Sequence, residues 1–133
     1  MDKTPENLAK YRLEKADIEL EIAKNLFKDN YFAKSLNSSY YSMFHATRAL
    51  LAFEKVDSKK HSGLINFFNN LFIRNGKIEQ IYFTFLSTAF NIRQQSDYKD
   101  FYIATKEDAE RQIQNAELFV KMIKSYLVKQ KLI

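Results

Sequence analysis

Apolar residues recur every three or four positions along most of the chain, which is the spacing of amphipathic α-helices. The first helix is predicted to run from Pro5, with Thr4 as its cap, to about Asp29. Its core stripe consists of Ala9, Leu13, Ala16, Leu20, Ala23 and Phe27. A second line on the same helix consists of Leu8, Tyr11, Ile18, Ile22 and Leu26. Because a surface helix of a monomer needs only one apolar stripe, we expect the second line to contact another subunit.

The stretch from Asn30 to Val56 is predicted to be the central, buried helix. Between Lys34 and Glu54 its only charged side chain is Arg48, and a helix this poor in charge does not lie with one face in water. Its core stripe consists of Phe32, Leu36, Tyr40, Met43, Phe44, Thr47, Leu50 and Leu51. Its opposite side combines Ser38, Ser42, Ala49 and Ala52, which are small, with Asn37, Tyr41, His45 and Arg48. That side predicts a second packed surface, in which the large polar groups are either functional or satisfied by interface partners.

A third helix is predicted from about His61 to Arg74. The polar residues before it offer Ser58 or Asp57 as its cap. Asn75-Gly76 ends it, because both residues tolerate the left-handed conformation of a helix C-terminus.

The fourth helix is predicted to begin near Lys77, and its apolar stripe ends in two charged residues. The stripe consists of Tyr82, Leu86, Ala89 and Phe90, and Arg93 continues it. Asp97 falls one turn later, at a spacing where the two side chains pair. Because a charge on a buried stripe costs free energy unless it is paired, this pair marks either a salt bridge that ends the helix or a functional site.

Residues 96–104 break the periodicity and are predicted to form a connection. Its aromatic residues Tyr98, Phe101 and Tyr102 either stack on a base or pack against the core, and we favour the core. Thr105 then caps a last helix, whose stripe repeats the spacing of the first, so these two helices are expected to pack together. This stripe consists of Ala109, Ile113, Ala116, Val120, Ile123 and Leu127. The predicted fold class is all-α: an up-and-down bundle of about five helices, forming a single domain over residues 1–133.

Composition agrees with long helices and narrows the function. Two Gly and one Pro in 133 residues leave few places to turn. With no Cys and only two His, we expect no metal site and no cofactor. Neither a signal peptide nor a membrane span is recognisable, so we expect a soluble, cytoplasmic protein. The net charge of +5 is compatible with a nucleic-acid partner, although the lysines are scattered along the chain.

Common catalytic motifs are missing from the sequence. Gly63 and Gly76 are the only glycines, which excludes a Walker loop and a Rossmann fingerprint. No local signature of Ser-His-Asp or Cys-His catalysis is present. Acid–base chemistry remains open to His45, or to Asp97 if Arg93 keeps it ionised.

The order and spacing of several segments resemble a HEPN domain, a small helical module often encoded beside a minimal nucleotidyltransferase. The first segment is residues 33–52, with Tyr40-Tyr41-Ser42-Met43-Phe44-His45-Ala46 at its centre. The others are, in chain order, His61-Ser62-Gly63, Arg93 followed by Ser96-Asp97-Tyr98, and residues 116–119. The resemblance implies an all-α domain that dimerises, places polar residues in a cleft at the subunit interface, and works with nucleotides or RNA.

The sequence departs from the HEPN family in one respect. Many HEPN toxins cleave RNA with an Arg that is followed after four to six residues by His. After Arg93 those positions hold Tyr98, Lys99 and Asp100. The resemblance therefore implies that Arg93 contacts phosphate or RNA, and it supplies no catalytic histidine. Asp97 and Tyr98 match an Asp-Tyr variant in the branch that this chain resembles.

Three functions stay open. The leading hypothesis is a homodimeric nucleotide- or RNA-binding partner of a minimal nucleotidyltransferase in a toxin–antitoxin-like pair, with little catalysis of its own. The second is a metal-independent ribonuclease toxin, in which Arg93 stabilises a phosphate and Tyr98, Asp97 or His45 supplies the proton transfers. The third is a helical interaction scaffold. The candidate nucleotide- or RNA-binding residues are Arg93, Asp97, Tyr98, His45, Tyr41 and Arg48.

Overall fold

A computed structural model describes residues 4–133, so the first three positions of the predicted domain lie outside the described residues. Over this range the chain forms five α-helices and no strand, and the all-α prediction is confirmed. They are α1 (Pro5–Lys28), α2 (Phe32–Leu51), α3 (His61–Phe68), α4 (Gln80–Tyr98) and α5 (Lys106–Lys129). A 3-10 turn (Ala52–Glu54) extends α2, and a π-helical turn (Asn69–Ile73) extends α3. Within residues 4–133, none of the helices has the length and apolar character needed to span a membrane.

Helix α2 is the centre of the fold, as its low charge predicts. It packs against all four other helices. On its small-residue side, the Ser35 and Ser42 hydroxyls donate to the carbonyl oxygens of Ala23 and Ala16, at 2.8 Å each. These bonds bring the backbone of α1 close to α2, so the neighbour that the small residues admit is α1 of the same chain.

Helices α1 and α5 pack together through their matching stripes, as predicted. The alanines of both stripes are completely buried. At the edge of this contact, Lys124 Nζ lies 2.8 Å from Asp17, and Lys24 Nζ lies 3.2 Å from Glu117. Ion pairs this exposed add little stability, so the apolar stripes hold the two helices together.

The prediction that Ser58 or Asp57 caps α3 is wrong. Lys60 occupies the cap position without a side-chain hydrogen bond. The Ser58 hydroxyl instead accepts from the Lys60 amide at 3.2 Å, while Asp57 is held by Arg48. Ser58 also lies against Gly63, where an added Cβ would collide with its hydroxyl. The loop before α3 is therefore fixed by its own side-chain contacts.

Helix α4 begins three residues later than the position near Lys77 that the sequence predicts. Gly76 turns the chain with φ +77°, and Ile78 is then buried with its amide donating to Phe72 O at 2.9 Å. Burial of Ile78 holds this segment against the end of the preceding π-helical turn. The helix can start only after that contact.

The far end of α4 also differs from the prediction. The helix continues through Tyr98, so the first three residues of the predicted connection are helical. Lys99 N donates to Gln95 O at 3.0 Å, and neither Gly nor Pro interrupts the segment. Tyr98 and Phe101 are 82% and 96% exposed, so the prediction that they pack against the core is wrong. Tyr102 is half-buried.

Candidate functional site

Helices α2, α3 and α4 bring five aromatic side chains together, which we call the ring cluster. It consists of Tyr40, Tyr41, Phe44, His61 and Phe90. His61, the first residue of α3, stacks on Phe44 with ring centroids 4.4 Å apart. The hydroxyl of the fully buried Tyr40 lies 2.7 Å from His61 Nδ1. Stacking and this hydrogen bond fix the orientation of the imidazole.

The guanidinium of Arg93 lies against the ring cluster. Its Cζ is 5.0 Å from the centre of the Tyr41 ring and 5.5 Å from that of Tyr40, within cation–π range. Its Nε is buried and has no hydrogen-bond partner, since Asp97 Oδ2, 3.5 Å away, forms an ion pair without hydrogen-bonding geometry. The side chain remains 23% exposed. The predicted Arg93–Asp97 pair is confirmed, and it leaves the guanidinium with unused donors.

The pKa values of His61 and Tyr40 keep these two groups of the ring cluster neutral near pH 7. Burial, and then the charge of Arg93, lower the pKa of His61 below its ordinary value of 6.5. Burial raises the pKa of the Tyr40 hydroxyl well above its usual range. A protonated Tyr40 that donates to His61 Nδ1 favours the tautomer with the imidazole proton on Nε2.

A second group of polar side chains, which we call the cationic corner, lies one turn beyond Phe44 on α2, where α1 and the loop before α3 meet that helix. It consists of Arg12, Lys15, Arg48 and Asp57, with His45 beside them. Arg48 Nη2 lies 2.8 Å from Asp57 Oδ2, and Arg12 Nη2 lies 3.6 Å from the same oxygen. Arg12 Nη1 also donates to the Arg48 carbonyl at 2.9 Å. Arg48 is therefore a satisfied polar group that ties the loop before α3 to α1 and α2.

His45 is not satisfied in this way. Its Nδ1 is buried and has no hydrogen-bond partner among the described residues. Burial lowers the pKa of His45 to about 4, with further lowering by the charges of Lys15, Arg48 and Arg12. The side chain is therefore a neutral imidazole near pH 7.

Acidification from pH 7.5 to 5.0 is expected to destabilise the fold partly through His45. Its pKa is about 4 when folded and 6.5 ordinarily, so between these values the unfolded chain binds the additional proton. This contribution to stability is complete above pH 6.5 and is lost as the pH falls towards 4. Because the His45 side chain is half-exposed and solvent screens its charge, we expect its contribution to the free energy of unfolding to fall by only about 1 kcal/mol at pH 5. Urea unfolding of wild type and His45→Gln at both pH values checks this. An equal fall in the free energy of unfolding of the two proteins would contradict it.

The six candidate residues separate into three places. Arg93, Asp97 and Tyr41 come together at the ring cluster, and the His45 ring lies beside it, with its centroid 6.2 Å from that of Tyr41 and 5.7 Å from that of Phe44. Arg48 belongs to the cationic corner. Tyr98 is exposed, and its position five residues after Arg93 places it about 140° round the helix.

Sequence reasoning misses four residues of the ring cluster as site residues. It places Tyr40, Phe44 and Phe90 on core stripes and His61 only at a helix start. Their signal in the sequence is weak, since His61 lies 32 residues before Arg93 (93 − 61) and no periodicity joins them. The identity of His61 as one of only two histidines is the one clue that the chain offers.

Phe44 connects the ring cluster to a cleft of about 520 Å³. Arg48, Asp57, Ser58 and Lys59 form the rest of its lining. The cleft thus runs from the imidazole stack to the cationic corner, and it can accommodate a ligand beside both an aromatic face and two cations.

Comparison with known protein families gives a match over most of the chain. The HEPN domain family matches positions 9–126. The chain belongs to the HEPN family. The match spans α1 to α4 and nearly all of α5, so it includes the ring cluster and the cationic corner.

Several relatives are similar to this chain over most of their length. Two proteins of Methanocaldococcus jannaschii, both named "putative toxin", are 33% and 36% identical, with 87% and 86% of this chain and 79% and 85% of theirs aligned. A Thermotoga maritima protein named "UPF0332 protein" is 29% identical over 92% of each chain. The crystal structure of an archaeal HEPN homologue superposes with a TM-score of 0.64 at 20% identity, covering 88% of this chain and 95% of that one. The sequence resemblance to HEPN domains is confirmed, and the chain has toxin-like relatives.

Proposed function

We propose that this HEPN protein is a homodimer that binds nucleotides or RNA at the ring cluster and pairs with a minimal nucleotidyltransferase in a toxin–antitoxin-like system. The observation that carries the proposal is the Arg93 guanidinium, which is held against the rings of Tyr40 and Tyr41 with a buried Nε that lacks a hydrogen bond. A fixed cation whose Nε–H makes no hydrogen bond within residues 4–133 is suited to an anionic acceptor.

Phosphate is the anion that this environment fits best. Arg binds phosphate oxygens through two parallel N–H groups, and the tyrosine rings hold the guanidinium plane in place. The half-buried imidazole of His61, which stacks on Phe44, offers a flat surface beside it on which a base can stack. Arg48 and Lys59 add positive charge along the adjoining cleft. Together these features suit a nucleotide or a single strand of RNA.

The homodimer is supported by the surface next to the ring cluster. On the second line of α1, Tyr11, Ile18 and Ile22 are 43%, 58% and 39% exposed. On the small-residue side of α2, Asn37 Oδ1 and His45 Nδ1 are buried and have no hydrogen-bond partners among the described residues. An exposed apolar line beside unsatisfied polar atoms suits an interface that supplies both apolar cover and hydrogen bonds.

The toxin–antitoxin-like role rests on the relatives named as toxins. The nucleotidyltransferase partner rests on the resemblance between this chain and HEPN domains encoded beside such enzymes. Co-expression with the product of the adjacent gene, followed by affinity purification, tests this part of the proposal. A neighbour without a nucleotidyltransferase signature would contradict it.

A second candidate function is a ribonuclease that uses a histidine from another helix. Tyr40 links His61 to Arg93, since its hydroxyl hydrogen-bonds to His61 Nδ1 and the Arg93 guanidinium lies over its ring. In the tautomer that carries its proton on Nδ1 and donates it to the Tyr40 hydroxyl oxygen, His61 Nε2 accepts the proton of the attacking hydroxyl and then returns it to the leaving group, while Arg93 stabilises the phosphate. His45 is less suited to this role, because it meets the cluster at Tyr41 and Phe44, whereas His61 hydrogen-bonds to Tyr40, whose ring lies against Arg93.

Incubation with cellular RNA separates the two functions. Wild type is expected to retard RNA in a native gel and to leave it intact, whereas Arg93→Gln is expected to need about tenfold more protein for the same retardation. Cleavage by wild type that is lost in His61→Gln, with folding of both verified by circular dichroism, would establish the ribonuclease. RNA that is neither retarded nor cleaved would contradict both functions.

A further inference from the structure

A second basic cleft lies at the opposite end of α4 from the ring cluster. It is formed by the start of α4 and the C-terminal half of α5 and has a volume of about 480 Å³. Its lining includes Lys77, Tyr82, Lys121, Met122, Tyr126 and Lys129. At 1.5 Å per residue, the 13 residues from Gln80 to Arg93 place it about 20 Å from Arg93. One nucleotide cannot reach both places, so this basic cleft is a separate site.

The charge of the basic cleft is not balanced by carboxylates. Within residues 4–133, Lys77, Lys121 and Lys129 take part in no ion pair, and the only acidic residue in the lining is Glu79. Lys124 of the same helix α5, by contrast, is paired with Asp17. Three cations that line one cleft repel each other, so an anion bound among them is stabilised by all three.

The basic cleft also offers flat apolar surface. Tyr82 packs edge-on against Phe85 and Phe119, with centroid distances of 5.8 and 6.4 Å. Tyr126 packs edge-on against Phe72 at 5.8 Å. These contacts fix both tyrosine rings, so a planar ligand that stacks there loses little further side-chain entropy. Cations beside fixed aromatic rings form the combination that binds phosphate together with a base.

We propose that the basic cleft is a second ligand site, for a phosphate group attached to a planar ring. A free nucleotide and a segment of RNA share this chemistry. The site goes beyond the proposed function, because it involves neither Arg93 nor His61.

The test uses the 133-residue chain with Arg93→Gln, which weakens the first site. Two probes, AMP and a 5′-phosphorylated hexauridylate, are titrated by calorimetry. The added substitutions Lys121→Gln and Lys129→Gln are expected to weaken the remaining binding about tenfold or more. The matched control, Lys28→Gln with Lys34→Gln, removes the same charge outside the basic cleft and is expected to leave binding unchanged.

The probes also identify the source of the ligand. Retained binding of AMP assigns a free nucleotide to the basic cleft, while binding of the hexauridylate alone assigns RNA. An equal loss in both double variants would overturn the proposal, as would the absence of any binding in the Arg93→Gln background. Competition by an oligoglutamate peptide as effective as that by either probe would also overturn it, since the site would then recognise charge alone.

Discussion

Arg93→Gln is expected to weaken the binding of a short 5′-phosphorylated RNA about tenfold or more. A charge-assisted hydrogen bond contributes about 1.5–3 kcal/mol, and Gln retains polarity but carries neither the charge nor the paired N–H groups. The fold is expected to survive, because the side chain is partly exposed and its ion pair with Asp97 is short-range and local. Fluorescence anisotropy with end-labelled RNA at fixed salt measures the change.

The matched control for this prediction is Arg111→Gln. Arg111 is an exposed residue of α5, and its replacement removes the same charge away from the ring cluster. It is expected to change affinity only slightly, through the net charge. Equal weakening by both substitutions would mean that RNA responds to overall charge and not to the ring cluster.

The combination of Ile18→Glu and Ile22→Glu is expected to convert a dimer into monomers. Both side chains are exposed on the second apolar line of α1, and four like charges would meet where two such lines face each other. Neither side chain belongs to the core, so the unfolding free energy of the monomer should change by less than about 1 kcal/mol. Light scattering coupled to size exclusion measures the mass.

Two exposed apolar residues elsewhere serve as its control. Ile81 and Val128 are 47% and 60% exposed, and Ile81→Glu with Val128→Glu adds the same charge outside the α1 line. This variant is expected to keep the dimer mass. A wild-type monomer at working concentration, or a dimer that survives in the α1 variant, would contradict the proposed interface.

The helices were predictable because each carries a long repeat of apolar residues. The stripes of α1 and α5 and the low charge of α2 determine which faces are buried, and these faces are as expected. Helix ends were less predictable. The burial of Ile78 depends on a tertiary contact that no local pattern contains, whereas residues 96–98 continue the helix beyond the end of the apolar stripe because neither Gly nor Pro interrupts it.

The candidate site was predictable only in part. The Arg93–Asp97 pair follows from i, i+4 spacing on one helix, and the structure contains it. The meeting of His61 with Arg93 depends on how α3 and α4 pack on α2, through the shared ring of Tyr40. Exposure of Tyr98 and Phe101 was not predictable either, since hydrophobic residues in a short segment can face either way.

The central claim, that Arg93 binds phosphate at the ring cluster, is tested most directly by nuclear magnetic resonance. The Nε–H signal of Arg93 in ¹⁵N-labelled protein is assigned by its loss in Arg93→Gln and followed during titration with 5′-phosphorylated RNA. We expect it to shift progressively to saturation, together with the ring signals of Tyr41 and His61. A saturating titration that moves other signals and leaves these three unchanged would contradict the claim.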